Sequence, residues 1–225
     1  MNMKKAFSLA EVLLTLGIIA VIAAITVPSL LKKTNEAELV SGCIKAHSTL
    51  SNAVKRMSVD YGRIGRGVDW TDSTRFIPQL MKYMNISKVC KPATNGSSGN
   101  WEDCMSLADD TKELDGDAIS FSAGDFPFMT ADGISYAYYS VGPDNAGYGL
   151  LDRDVPNIFG RFIVDVNGPK KPNIVGVDIF LFAVVKGKGI IPGGSGNPNQ
   201  CKAANSDGLY CASYVVINKK IDYLK

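Results

Sequence analysis

One oily run, Phe7 to Leu31 (FSLAEVLLTLGIIAVIAAITVPSLL), constrains this chain more than any other feature. From Val12 to Leu31 it holds no charged residue, and a helix of that length, rising about 1.5 Å per residue, crosses about 30 Å of hydrocarbon. A secretory signal has a shorter apolar core, and Glu11 would interrupt it, so the run predicts a membrane-spanning anchor. Lys4 and Lys5 precede the run and favour a cytoplasmic N-terminus, against an opposing pair at Lys32 and Lys33. The residues that follow are then carried across the membrane.

Glu11 is the one charge in the run. A carboxylate is costly in a bilayer, so its presence in a membrane helix marks a pairing or a function. A basic leader, then Ala6-Phe7-Ser8-Leu9-Ala10-Glu11, then a long apolar helix resembles the N-terminal signature of type IV pilins and of type II secretion pseudopilins. The resemblance implies insertion in a bacterial inner membrane and cleavage by prepilin peptidase between Ala6 and Phe7. It also implies N-methylation of the Phe7 amine and polymerisation, by an assembly machinery, with copies of the chain or related pilins. In that family a glutamate at the position of Glu11 neutralises the terminal amine of a neighbouring subunit, and the helices carry a proline at about the place of Pro28. Ala6 departs from the pattern, which most often has glycine before the cut. The function implied is structural rather than enzymatic: a subunit of a periplasmic or extracellular filament. An uncleaved anchor carrying an extracytoplasmic binding module is the alternative.

The expected organisation is a leader at 1–6, a transmembrane and polymerisation helix at 7–31, and a head at 32–225. Of the 24 basic residues, removing Lys4 and Lys5 leaves 22 against 22 acidic ones, so the exported part is neutral and gives no support for nucleic-acid binding. The five cysteines would lie in an oxidising compartment. Local spacing suggests the pairs Cys90–Cys104 and Cys201–Cys211, although sequence leaves other pairings open. A loop of about 15 residues closed in this way contributes about 3 kcal/mol in the chain-entropy model. Cys43 is the odd one, read as a small buried residue on a helix. The C-terminal pair also resembles the disulfide-bounded loop near the end of many pilins.

Pro28 predicts a kink near Ala24, with Gly17 as a second weak point. From Thr34 the pattern turns amphipathic: Ala37, Val40, Ile44, His47, Leu50 or Ser51, Val54 and Met57 form one helical stripe over about 34–57. His47, the only histidine, reads as a packing residue on that stripe. Gly62, Gly65 and Gly67 end the helix, and a cap at Thr71 to Ser73 opens a short one carrying Phe76, Leu80, Met81 and Met84. Cys90 to Asp117 is polar and turn-rich and reads as a surface loop held by its disulfide; pilins display variable surface between helix and sheet, so the resemblance implies partner contact there. AISFS, GISYAYYSV, RFIVDV and VDIFLFAVV predict an antiparallel sheet of about four strands packed on the helix stripe, an α+β head. Gly142 to Asn157 and the glycines from 187 to 196 read as loops, while Ala212 to Leu224 fits a strand or a short helix equally.

One polar constellation is left, VDVNGPKKPNIVGVD. Asp165, Asn167, Asn173 and Asp178 offer hard oxygen ligands, and two strands joined by this loop would bring Asp165 and Asp178 together, as a calcium site needs. The spacing does not fit an EF-hand, and turn chemistry accounts for the same residues. No phosphate loop, nucleophile elbow or paired-cysteine metal motif occurs in the chain.

Overall fold

A computed structural model describes residues 8–61, 72–90, 104–105, 111–119, 121, 125–140, 158–202 and 206–224. They belong to two units that divide between Glu38 and Leu39.

The first unit is the beginning of helix α1, Leu9–Tyr61, whose helical assignment continues without a break through positions 17 and 28, the two expected weak points. Within it, Leu9–Thr26 is long and apolar enough to cross a membrane, and none of its residues is buried. Eighteen residues at about 1.5 Å each give about 27 Å, close to the thickness of a hydrocarbon core. Thr15 and Thr26 turn their hydroxyls back to the carbonyls of Val12 and Ile22, so neither leaves an unpaired donor on the apolar surface.

The second unit is a six-stranded antiparallel sheet with one helical face. The strands are β1 (Ile86–Val89), β2 (Asp125–Thr130), β3 (Ser135–Ser140), β4 (Ile158–Asp165), β5 (Ile179–Val185) and β6 (Gly189–Pro192), in the simple meander order 1-2-3-4-5-6. Two further helices complete it, α2 (Ser73–Met81) and α3 (Cys211–Asn218). The expected count of four strands is therefore low: β3 and β5 fall within predicted runs, β4 overlaps RFIVDV but starts three residues before it, and β1, β2 and β6 lie outside the predicted runs. AISFS is no strand where it is described, for Ala118 makes only an isolated bridge with Lys112. The C-terminal ambiguity resolves in favour of a helix.

The amphipathic part of α1 lays Val40, Cys43, Ala46, Leu50, Ala53, Val54 and Met57 into the core, and the helix runs to Tyr61 rather than Met57. The buried stripe is rotated from the expected one. Ala37 is exposed and Ile44 and His47 are half-buried, while the small residues Cys43, Ala46 and Ala53 take the central line. Close approach explains the choice: a Cβ added at Gly42 would meet Val166 Cβ at 2.9 Å. Cys43 is the free thiol, fully buried as expected, and burial pushes its ionisation well up.

Asp72 caps α2, its Oδ1 accepting from Thr74 N at 2.9 Å, and the helix drives Phe76 against Tyr138 and Phe162 at centroid distances of 4.9 and 6.2 Å. Every residue of β5 is buried. Phe180, Phe182 and Val184 face the helical layer, while Ile179 and Leu181 face a second cluster with Met105, Ala137, Ile163 and Val175. The sheet is thus covered on both faces. Of the expected Cys90–Asp117 surface loop, the described Cys90, Cys104, Met105, Thr111 and Leu114 are buried instead: Met105 joins that second cluster, and Leu114 packs with Val177, Cys201, Cys211 and Tyr214. Positions 91–103 and 106–110 of that loop, and all of Gly142 to Asn157, lie outside the described residues.

Candidate functional site

Two places carry chemistry beyond packing. The first is the start of α1. Ser8 Oγ accepts from Glu11 N at 3.2 Å, while Glu11 Oε2 accepts from Ser8 N at 2.9 Å and from Ser8 Oγ at 3.0 Å. These reciprocal bonds form a capping box, which satisfies two of the amide donors that a helix start leaves open. Glu11 is exposed and finds its partner within its own chain. The spacing Ser8-x-x-Glu11 before an apolar run is the sequence signal for this motif. Ala6 and Phe7 lie outside the described residues, and Pro28 is described only as a position within α1.

The second place is the β4–β5 connection. Asp165 is the last residue of β4, Asp178 directly precedes β5, and both are fully buried. Antiparallel pairing, Asp165 opposite Ile179, brings the two ends together as expected from the sequence. Asp178 organises the loop: its Oδ2 accepts from Asn173 N at 2.8 Å and from Asn167 Nδ2 at 3.2 Å, and its Oδ1 accepts from Ile174 N at 2.7 Å. Asp165 Oδ1 accepts from Asn167 N at 3.2 Å. Asn173 takes a left-handed backbone, φ 54°, and Gly168 another, φ 67°. The loop is fastened further by Lys112, whose N–H donates to Asn173 O at 3.0 Å and whose carbonyl accepts from Val175 N at 2.9 Å.

Burial, and then the facing Asp178 charge, push the Asp165 carboxyl well above the usual carboxylate range. Burial also raises Asp178, against the pull of its donors Ile174, Asn173 and Asn167. Three oxygens of this cluster accept no hydrogen bond: Asp165 Oδ2, Asn167 Oδ1 and Asn173 Oδ1. No group of three or more His, Cys, Asp or Glu gathers among the described residues. The cluster is a set of oxygen donors only once its amides are counted.

Both expected disulfides are present, Cys90–Cys104 and Cys201–Cys211. Ser135 Oγ donates to the Cys104 carbonyl and ties the first bridge to β3. His47 stacks on Phe182 at 5.8 Å, and burial lowers its affinity for a proton. That is the packing role expected of it.

Comparison with known proteins returned nothing: no family model, no curated protein and no solved structure matches the chain.

Proposed function

We propose that the chain is a structural subunit of a type IV pilus-like or type II secretion filament. It is processed by prepilin peptidase between Ala6 and Phe7, inserted in a bacterial inner membrane, and assembled with its own copies or related pilins through the apolar half of α1. One observation carries the reading. A continuous helix is apolar and wholly unburied over Leu9–Thr26, yet from Val40 onward it lays a buried stripe on a sheet. In the membrane the first half is covered by lipid, and in a filament it is covered by the same half of neighbouring subunits.

A second reading, an uncleaved anchor holding an extracytoplasmic head, is favoured by the capping box. Glu11 already has an intrachain partner, so its presence in the helix requires no neighbour. Two variants separate the readings when filaments are counted by electron microscopy and membrane insertion by fractionation. In the filament reading, Glu11→Ala inserts normally and assembles poorly, while Ser8→Ala, which keeps the carboxylate, still assembles. Normal filaments from Glu11→Ala would remove the cross-subunit pairing.

A further inference from the structure

The head keeps two sets of like charges at opposite ends. One is the turn Glu113–Asp117, where Gly116, at φ 99°, donates its N–H to Glu113 O at 3.0 Å and leaves Asp115 and Asp117 exposed at the tip. Asp207 lies beside it, its carbonyl accepting from Leu114 N at 3.4 Å. Burial and then the charges of Asp115, Asp207 and Asp117 push the Glu113 carboxyl up, so the neighbours that act on it are all acidic. The other set rims a groove of about 600 Å³ between α1 and the β5–β6 turn, lined by His47, Val54, Lys55, Ser58, Lys188 and Ile190 among others. No acidic residue lines it, and Lys186 adds a third positive charge to the same turn. Among the described residues, none of these lysines and none of these four acids enters an ion pair.

Two elements fix how far apart the sets lie. Leu114 belongs to the cluster on which Leu39 packs, and Lys55 follows Leu39 along α1 by sixteen residues, about 24 Å. Val175 N donates to Lys112 O at 2.9 Å and Gly176 N to Ile179 O at 2.8 Å, which seats the acidic turn at the start of β5. Lys186 and Lys188 follow the end of that strand, about 20 Å away. Sets so placed do not meet within one head. Two copies join them end to end, a heterologous contact that extends into a filament when its rotation does not close.

We propose that the groove between α1 and the β5–β6 turn receives the Glu113–Asp117 turn of a second copy of this chain. The inference rests on the filament reading and names the head surfaces that would join there. A cavity of this volume suits a narrow turn tip, and its lysines face carboxylates that have no cation of their own. Such complementary charge sets register and orientation, while the apolar half of α1 supplies the bulk of the burial.

The test uses full-length chains in a host with prepilin peptidase and the assembly machinery. Lys188→Cys in one copy and Asp115→Cys in another, expressed together and oxidised, should give a disulfide-linked dimer that neither variant gives alone. Reversing the groove, Lys55→Glu with Lys188→Glu, should lower the filament count severalfold, and so should Asp115→Lys with Asp117→Lys. All four positions are exposed, so the heads should keep their native Tm. The two reversals combined in one chain restore opposite charges across the contact and should recover filaments. Methylated Phe7 and normal filaments without the mixed dimer would overturn the contact and leave the filament reading standing. Normal filaments from the reversed lysines, the result if the groove holds a free anion instead, would do the same. A combined variant no better than either reversal would also decide against the pairing of these charges. A native chain that keeps Met1 and forms no filaments would overturn both.

Discussion

The two halves of α1 share one secondary structure and differ in what covers them. From Leu9 to Thr26 no residue is buried within the chain, while from Val40 to Met57 a line of seven apolar residues is shut away from solvent. The first half is apolar all round and the second is apolar on one side. That difference separates a helix made for lipid or for other helices from one made for a sheet. It teaches that the same residue type means different things a few turns apart: a leucine in the first half is surface, and a leucine in the second is core.

Matched substitutions test this directly. Leu50→Ala should destabilise the head by about 2–5 kcal/mol, the usual range for a leucine removed from a packed core, whereas Leu14→Ala should stay within about 0.5 kcal/mol in the same denaturant titration. Equal effects would mean that the two halves do not differ as described. The glycines give a smaller version of the contrast. Gly42→Ala drives a Cβ to 2.9 Å from Val166 and should cost about 1–3 kcal/mol, while Gly17→Ala meets nothing within 4 Å and should leave head stability unchanged.

The smallest effect belongs to the salt bridge from Lys45 Nζ to Asp132 Oδ2 at 2.8 Å, which joins the second half of α1 to the β2–β3 turn. Burial alone would raise the Asp132 carboxyl, but the bonds from Lys45 and Thr130 outweigh it and hold the group below its ordinary value. A depressed folded-state value stabilises above the unfolded carboxylate pKa, about 3.9, and the gain fades as pH falls through the lower folded value. With Lys45 largely exposed, Lys45→Ala should cost only about 0.2–1 kcal/mol at neutral pH, and its difference from the native chain should vanish in acid. A difference that persists undiminished at low pH would assign it to lost packing instead of charge.

The features that the sequence made legible were those with a strong local period or a short loop. The apolar run, the cap near Asp72, the β3 to β5 core and the two local disulfides all fall in this class. The strands that escaped notice are short or carry proline. ISKV offers little hydrophobic signal because three of its four residues are exposed, and DFPFMT and GIIP hold a residue that argues against a strand. In β2 the register shifts between Asp125 and Phe128, with Phe126 at φ 56°, so its proline sits at an irregularity. The helix stripe was misplaced because pattern reading gives weight to large residues such as Ile44. Close packing near Gly42 selected Cys43, Ala46 and Ala53 instead. Asp165 and Asp178 were legible as a pair across a turn, but which oxygens are left without donors depends on the bonds that Asp178 makes to the backbone. No spacing rule contains that information.

Mass spectrometry of the N-terminal peptide, on protein recovered from the membranes of a host with prepilin peptidase, tests the central claim most directly. A peptide that begins at an N-methylated Phe7 is the result expected of a filament subunit. A peptide that still begins at Met1 would contradict processing and assembly and leave a membrane-tethered head.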